Sequence, residues 1–244
     1  MKIEILRKHL FLENDRAAGA NRELLEGHGV LGVNVMGGAG CGKTALLECL
    51  LPRLKRGLRP AVLEGDVATT NDAERIAALG VPVVQLLTEG GCHLSATLVA
   101  EGLKLLPLNE LDVVLIENVG NPICPANFDL GEHVRLVLLS VAEGDDKPAK
   151  YPHLFQVASA VVLTKSDLLS STNFRVDRAM ATLRSLAPEV PVFTTSSQDP
   201  ASIRGVEDWL LSCASFNPSS SNRRRSVPQP RADTPKACPH SADS

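Results

Sequence analysis

A glycine-rich octapeptide at residues 37–44 restricts the possible folds of this chain more than any other segment. It reads GGAGCGKT and matches the pattern G-x-x-x-x-G-K-[S/T] in full. An apolar run ending at Met36 precedes it, and a helical stretch follows it. This context predicts a loop whose backbone N–H groups surround phosphate oxygens at the N-terminus of a helix. The residues expected to bind nucleotide are Gly37, Gly38, Ala39, Gly40, Cys41, Gly42, Lys43 and Thr44.

Short apolar runs alternate with helical stretches along most of the chain. The apolar runs are 30–36, 60–64, 81–87, 111–116, 134–141, 160–164 and 190–194. The helical stretches are 8–27, 43–56, 71–79, 94–106, 175–186 and 203–213. Nearly continuous apolar strands separated by helices are typical of a parallel sheet buried on both faces. The sequence therefore predicts an α/β fold of the P-loop NTPase type, a mainly parallel sheet flanked by helices on both faces.

Composition divides the chain into three predicted parts. Residues 1–29 form a helix packed on the nucleotide-binding domain, residues 30–216 form that domain, and residues 217–244, rich in Ser, Pro and Arg, form a disordered tail. The net charge of −3 gives no basic excess for nucleic acid. No signal peptide is recognisable, and no run approaches the roughly 20 apolar residues that cross a bilayer. We expect a cytoplasmic protein that binds neither nucleic acid nor membrane.

Acidic residues at the ends of two predicted strands are candidate partners for a nucleotide-bound Mg²⁺ ion. Glu64 and Asp66 end the second strand, and Glu117 ends the fourth. Open α/β sheets bind ligands at the carboxyl ends of their strands. We therefore expect the hydroxyl of Thr44 and the carboxylates of Asp66 and Glu117 to hold Mg²⁺.

The same region supplies candidates for catalysis of phosphate transfer. Lys43 would reach the β- and γ-phosphates, and Asp66 or Asp72 would orient the attacking water. Asp72 is also explained as a helix-start carboxylate, because acidic side chains are favoured there, and both roles can hold at once. The predicted catalytic residues are Lys43, Asp66, Asp72 and Glu117.

Residues 164–167 read TKSD directly after a predicted strand and resemble the guanine-reading N-K-x-D motif of GTPases. Asp167 would accept hydrogen bonds from two guanine N–H groups that adenine lacks, so GTP is expected in preference to ATP. Lys165 would lie along the base. Thr164 replaces the usual asparagine, which shortens or removes one polar contact and predicts weaker guanine affinity. A second base-contacting loop is expected at 194–197.

Cysteine and histidine side chains cluster in two segments near these strand ends. Cys92 and His93 are adjacent at a predicted helix start, whose positive end favours a thiolate, and Cys124 follows Glu117 by seven residues. Thiolate and imidazole ligands suit Zn²⁺ or Ni²⁺. Three ligands leave such a site incomplete, so water or a second subunit would complete it. The residues alone are explained equally well by plain burial of the thiols.

Four stretches together resemble the HypB family, the nickel-insertion GTPases of [NiFe]-hydrogenase maturation. They are EGDVATTNDAERI (64–76), GGCHL (90–94), ENVGNPICPANFDLGE (117–132) and EGDDKPAKYP (143–152). The resemblance implies slow, Mg²⁺-dependent hydrolysis of GTP. It further implies a homodimer whose interface binds Ni²⁺, or Zn²⁺, through Cys92, His93 and Cys124 of both chains. A HypA-type nickel chaperone and the hydrogenase large subunit are the implied partners.

The sequence departs from the family pattern at several points. It has neither the CxxCGC nickel site nor the histidine-rich stretch of some members, so nickel storage is not expected. Cys41 stands where many members have a small Ser or Ala and predicts sensitivity to oxidation. Lys147 and Lys150 are either contacts at the nucleotide or dimer interface or exposed surface lysines. The rival functions are maturation of another nickel enzyme such as urease, metal-dependent interaction with decayed GTPase activity, and ATP hydrolysis.

Overall fold

The computed structural model of the chain describes the backbone of residues 2–66, 70–88 and 90–215, with side chains from residue 11 onward. The tail predicted at 217–244 lies outside the described residues. The strands are β1 (Leu31–Gly37), β2 (Pro60–Asp66), β3 (Val83–Leu87), β4 (Val113–Glu117), β5 (Val134–Ser140), β6 (Ala160–Thr164) and β7 (Val192–Thr194). The helices are α1 (Lys2–His28), α2 (Lys43–Leu54), α3 (Asn71–Ala77), α4 (Ala96–Lys104), α5 (Lys147–Lys150), α6 (Pro152–Gln156), α7 (Val176–Leu186) and α8 (Arg204–Ser215).

The described residues form one seven-stranded sheet in which every pair of neighbouring strands is parallel. The strand order is β3-β2-β4-β1-β5-β6-β7. All seven predicted strands are present, because each apolar run is long enough for a strand and is bounded by turn residues. The sheet places the carboxyl ends of β1, β2 and β4 side by side, with Glu64 opposite Glu117 in the register of β2 and β4.

Apolar side chains cover both faces of this sheet. On one face α2 and α8 pack against β1 and β4, and Leu47, Leu50 and Val206 are completely buried there. On the other face α1 and α4 pack against β2 and β4 through buried side chains such as Leu25 and Val99. Complete burial stabilises the fold by about 1.5–3 kcal/mol for each large aliphatic side chain. The predicted fold class, a parallel sheet between two helical layers, is confirmed.

For two of the elements that begin later than the sequence predicts, the structure shows a local reason. The run at 81–87 becomes a strand only at Val83, because Pro82 has no N–H to donate to the ladder. The helix predicted at 94–106 begins at Ala96, since the Ser95 hydroxyl caps it by accepting a hydrogen bond from the N–H of Leu98 at 3.2 Å. No described helix has the length and apolar character that a bilayer crossing requires.

Candidate nucleotide and metal sites

The glycine-rich loop after β1 has the backbone geometry that phosphate binding requires. Gly40 and Gly42 adopt φ angles of 70° and 97°, a region that side-chain-bearing residues rarely enter. Gly42 immediately precedes α2, so Lys43 and Thr44 form its first turn. The loop also lies against the segment that follows β4, where a Cβ atom on Gly120 would come within 2.8 Å of the Ala39 Cα atom.

Three carboxylates and one hydroxyl meet at the start of α2. The Thr44 hydroxyl donates to Glu117 Oε1 at 2.7 Å. Carboxylate oxygens of Glu64, Asp72 and Glu117 lie within 4.8 Å of one another. Glu64 Oε2 and Glu117 Oε2 are buried and have no hydrogen-bond partner among the described residues. A hard cation prefers oxygen ligands and would give these two carboxylate oxygens a partner, so the residues fit Mg²⁺.

The pKa values of Glu64 and Glu117 reflect the burial and the close approach of these carboxyl groups. Burial and the neighbouring Glu117 carboxylate raise the pKa of Glu64 to about 8. Burial also raises the pKa of Glu117 to about 7, although the Thr44 hydrogen bond and the Lys43 ammonium act in the opposite direction. A bound divalent cation would favour the ionised form of both groups.

The third carboxylate differs from the one that the sequence suggests. Glu64, not Asp66, joins Asp72 and Glu117, because the strand register sets Glu64 directly beside Glu117. Asp66 is half-buried at the last position of β2, opposite Leu87. Asp72 lies in the first turn of α3, where its carboxylate accepts from Arg75 at 2.6 Å, so it is both a helix-start residue and a member of the cluster.

A pocket adjoins the phosphate-binding loop on the side of β6 and β7. Its lining includes Gly42, Cys49, Thr164, Lys165, Thr195, Ser196 and Ile203. The Asp167 carboxylate accepts a hydrogen bond from the Ser196 hydroxyl at 2.6 Å, which fixes its orientation. The predicted second loop at 194–197 therefore contributes to this pocket and positions the residue expected to read guanine.

Thr164 and Lys165 connect this pocket to the phosphate-binding loop. The Thr164 hydroxyl donates to the Cys41 carbonyl at 2.6 Å, so the shorter side chain retains a contact with the loop. Lys165 Nζ donates to the Gly40 carbonyl at 2.7 Å. Lys165 also has a φ angle of 58°, and positive φ in a residue other than glycine occurs nowhere else among the described residues. Such backbone strain is common at functional sites.

The predicted sensitivity of Cys41 to oxidation is wrong. Cys41 is completely buried, and this burial raises the pKa of its thiol to about 11. Oxidation requires an accessible thiolate, and this thiol is neither accessible nor ionised near neutral pH.

Lys147 and Lys150 make local contacts. Lys147 Nζ lies 5.6 Å from the centre of the Tyr151 ring, and Lys150 is paired with Asp146 at 2.6 Å.

Cys92, His93 and Cys124 converge on one point beside the carboxyl edge of the sheet. Their ligand atoms lie within 4.8 Å of one another. Cys92 Sγ is 2.8 Å from Cys124 Sγ and 3.5 Å from His93 Nδ1. Cys92 is exposed while the other two side chains are half-buried, so the cluster faces solvent on one side. Two thiols and an imidazole form a donor set that suits Zn²⁺ or Ni²⁺.

Cys92 lies at a different position relative to the helix than the sequence predicts, and the pKa values of Cys124 and His93 are shifted. Cys92 precedes the first residue of α4, Ala96, and therefore lies outside the helix whose N-terminus was expected to favour its thiolate. The hydrogen bond with Cys92, together with burial, raises the pKa of Cys124. Burial lowers the pKa of His93, which keeps its imidazole neutral, as metal binding requires.

Asn118 connects the two clusters and was missed by the sequence analysis. Its Oδ1 atom accepts from the N–H groups of Leu94 at 3.3 Å and Val119 at 3.0 Å. Its Nδ2 atom donates to Asn34 Oδ1 at 3.2 Å. Asn118 is 1% exposed and directly follows Glu117, while Leu94 directly follows His93. A buried amide thus links the carboxylate cluster to the thiol–imidazole cluster.

Known proteins are similar to this chain in sequence. Residues 32–194 match the family described as CobW/HypB/UreG, nucleotide-binding domain. The hydrogenase maturation factor HypB of Escherichia coli (strain K12) is 43% identical over 210 residues, which cover 86% of this chain and 70% of that protein. The hydrogenase/urease maturation factor HypB of Helicobacter pylori (strain J99) is 38% identical over 213 residues, which cover 86% of this chain and 87% of that protein.

A solved structure supports the same comparison at the level of the fold. The crystal structure of HypB from Helicobacter pylori in complex with nickel matches with a TM-score of 0.81 and 38% identity. The match covers 84% of this chain and 96% of that chain.

Proposed function

This chain belongs to the CobW/HypB/UreG family, and to the HypB maturation factors within it, and from that premise we propose how its residues divide the work of a nickel-handling GTPase. The carboxylate cluster and the phosphate-binding loop hydrolyse GTP. The thiol–imidazole cluster carries nickel for [NiFe]-hydrogenase maturation. Asn118 connects the two, so that nucleotide state and nickel affinity depend on each other.

In the nucleotide site, the chain's own groups bind and orient the triphosphate. Lys43 would contact the β- and γ-phosphates, and Thr44 with Glu117 would hold Mg²⁺. When bound, the ion would supply positive charge against the negative charge that develops on the phosphates. Glu64 supports the same ion from β2, which its position beside Glu117 favours. Asp72 orients the attacking water, and Asp66 stays a prediction for that role.

Guanine is selected in the pocket beside β6. Ser196 holds the Asp167 carboxylate, which accepts from the two guanine N–H groups, and Lys165 lies along the base. An adenine ring would offer that carboxylate no donor from the base, which costs about 1–3 kcal/mol. Turnover of GTP with ATP as competitor tests this assignment, and equal inhibition by ATP and GDP would contradict it.

Nickel is bound by Cys92, His93 and Cys124, with Zn²⁺ as the alternative ion. The observation that carries this assignment is the convergence of their ligand atoms within 4.8 Å. Since metal–sulfur bonds are about 2.3 Å long, metal binding would increase the distance between the sulfur atoms of Cys92 and Cys124 by roughly 1 Å. Three ligands on a cluster that faces solvent favour completion of the site by a second copy of the chain, which makes the functional form a homodimer.

The cargo then passes between partners. We propose that a HypA-type nickel chaperone supplies the ion, that the hydrogenase large subunit receives it, and that this exchange occurs in the cytoplasm. Maturation of urease is a second candidate, because the Helicobacter pylori relative is named a hydrogenase/urease maturation factor.

The experiment is a nickel titration of the wild-type protein and of Cys124→Ala, followed by chelator competition and by sedimentation. Wild type is expected to bind Ni²⁺ and dimerise, and the variant is expected to do neither. Cys213→Ala is the matched control. Cys213 is a half-buried free cysteine in α8, and it packs against the core cluster between the sheet and helices α2 and α8. Equal nickel binding by wild type and Cys124→Ala would refute the assignment.

A further inference from the structure

Helix α1 contacts both segments that carry the proposed nickel ligands. One segment is the ligand segment 92–96, which contains Cys92 and His93 and ends at the first residue of α4. The other is the ligand segment 124–130, which begins at Cys124. Each of three α1 residues, Phe11, Asn14 and Asn21, is connected to both segments, directly or through one intervening ring.

Asn14 bridges the two segments with a single buried carboxamide. Its Oδ1 atom accepts from the N–H of Ala96 at 2.9 Å. Its Nδ2 atom donates to the carbonyl of Asp129 at 2.7 Å. Asn14 is 7% exposed, so water does not readily replace either bond. The carboxamide therefore sets the spacing between the two segments.

Asn21 repeats this bridge two turns further along the helix. Its Nδ2 atom donates to the carbonyl of Ala96 at 2.8 Å and to the carbonyl of Leu130 at 2.9 Å. Asn21 is 2% exposed. Ala96 is thus held at both its N–H and its carbonyl by α1, three residues after His93.

An aromatic stack joins the same elements at the metal cluster itself. The His93 imidazole lies on the Phe128 ring, with centroids 3.8 Å apart and an angle of 19° between the planes. Phe128 in turn lies on Phe11 of α1, with centroids 5.3 Å apart and an angle of 25°. Phe128 belongs to the segment of Cys124, so its ring fixes the imidazole of one segment against the backbone of the other.

We propose that α1 is a positioning element for the nickel site, acting through Asn14, Asn21 and the Phe11–Phe128–His93 stack. This rests on the proposed nickel-binding role of the cluster. The three contacts hold the Cys92–His93 pair and Cys124 at a fixed separation and orient the imidazole plane. Groups that orient metal ligands from behind are typically worth about 10–100-fold in metal affinity.

The alternative is that α1 only stabilises the fold, and the positions of the contacts distinguish the two. The Asn14 and Asn21 hydrogen bonds end on Ala96, Asp129 and Leu130, none of which belongs to the phosphate-binding loop or to the guanine pocket. A positioning role therefore predicts weakened nickel binding with unchanged guanine nucleotide binding. A general loss of stability predicts that both are weakened together.

The test compares Phe128→Leu and Phe128→Tyr in the full chain. Ni²⁺ alone is the probe, measured by competition with a chromophoric chelator and by the thiolate-to-nickel charge-transfer band. Phe128→Leu removes the ring and is expected to weaken nickel binding about 10–100-fold and to shift the band. Phe128→Tyr keeps the ring and is expected to retain wild-type affinity. Affinity for a fluorescent GDP analogue is expected to be unchanged in both variants.

Phe174→Leu is the matched control, because Phe174 is a buried phenylalanine in the core cluster around α7. Asn14→Ala is the second probe, which removes the carboxamide bridge and leaves the stack in place, and it is expected to weaken nickel binding as Phe128→Leu does. Wild-type nickel affinity in both Phe128→Leu and Asn14→Ala would overturn the proposal. So would equal losses in Phe128→Leu and Phe174→Leu, or a parallel loss of GDP binding.

The proposed function fails separately, if wild type and Cys124→Ala bind Ni²⁺ alike. In that case the cluster is not the nickel site, and the variants of Asn14 and Phe128 have no bearing on nickel binding.

Discussion

Replacing Asn118 with alanine removes the buried amide that joins the proposed nucleotide and nickel sites. The N–H groups of Leu94 and Val119 and the Oδ1 atom of Asn34 would each lose the partner described above, at 3.3 Å, 3.0 Å and 3.2 Å. A buried polar group left without a partner costs about 1–3 kcal/mol. For these three groups we expect the free energy of unfolding to fall by roughly 3–9 kcal/mol. Since single domains are typically stable by about 5–15 kcal/mol, the variant is expected to fold.

The functional effect of Asn118→Ala is expected in the coupling between ligands. Nickel affinity is measured with GDP and with a non-hydrolysable GTP analogue, and the ratio of the two affinities reports the coupling. Coupling free energies of about 1–3 kcal/mol correspond to ratios of roughly 5–150. We expect a ratio in this range for wild type and a ratio close to one for Asn118→Ala. In the variant, the ligand segment 92–96 would no longer move together with the residues at the end of β4.

Asn127→Ala is the control for this experiment. Asn127 is an exposed asparagine three residues after Cys124, and its amide donates only to the Ile123 carbonyl, at 2.9 Å, among the described contacts. We expect its loss to change the free energy of unfolding by about 0.5–1.5 kcal/mol and to leave the affinity ratio unchanged. A folded Asn118→Ala protein with the wild-type ratio would refute the reasoning, as would a stability loss no larger than that of Asn127→Ala.

Three further predictions follow from individual side chains. Ser196→Ala leaves the carboxylate of Asp167, which we propose reads guanine, without its orienting hydroxyl. The KM for GTP is expected to rise about 2–10-fold in steady-state kinetics, and an unchanged KM would contradict this. Cys41, whose pKa is raised to about 11 by burial, is expected to remain unmodified when native protein is treated with iodoacetamide at neutral pH and analysed by mass spectrometry. His133 accepts from the Gly32 N–H and has a pKa lowered by burial, although Glu26 opposes this shift. Because the unfolded chain then binds the proton more readily, stability should fall as pH drops below about 6.5, and urea midpoints of His133→Gln should fall less.

Periodicity and motif spacing were sufficient for the fold and for most of the site. The apolar runs predicted every strand of the sheet, because a buried parallel strand needs apolar side chains on both faces. The octapeptide at 37–44 predicted the phosphate-binding loop, since its glycines are required by positive φ angles at Gly40 and Gly42. Cys92, His93 and Cys124 were named together as ligands through the family resemblance, while their spacing alone left metal binding and burial equally open, and the structure brings them together.

Features that depend on register or on long-range contacts could not be predicted in this way. The choice of Glu64 over Asp66 depends on the alignment of β2 with β4, which no local pattern specifies. Asn118 gave no signal because a buried asparagine is indistinguishable from a turn residue in sequence. The signal for Asn14 was equally weak, since its partners lie 82 and 115 residues away.

The close packing of Gly120 against Ala39 determines which way the chain can respond to its nucleotide. With 2.8 Å between the Ala39 Cα atom and the position of a Cβ atom on Gly120, the two backbones leave no space for an inserted phosphate oxygen. If a γ-phosphate of bound GTP enters between them, residue 120 is displaced outward, and Cys124, a proposed nickel ligand, lies four residues later. Loss of the phosphate after hydrolysis would let that segment return, so one backbone displacement would move a proposed nickel ligand in each turnover.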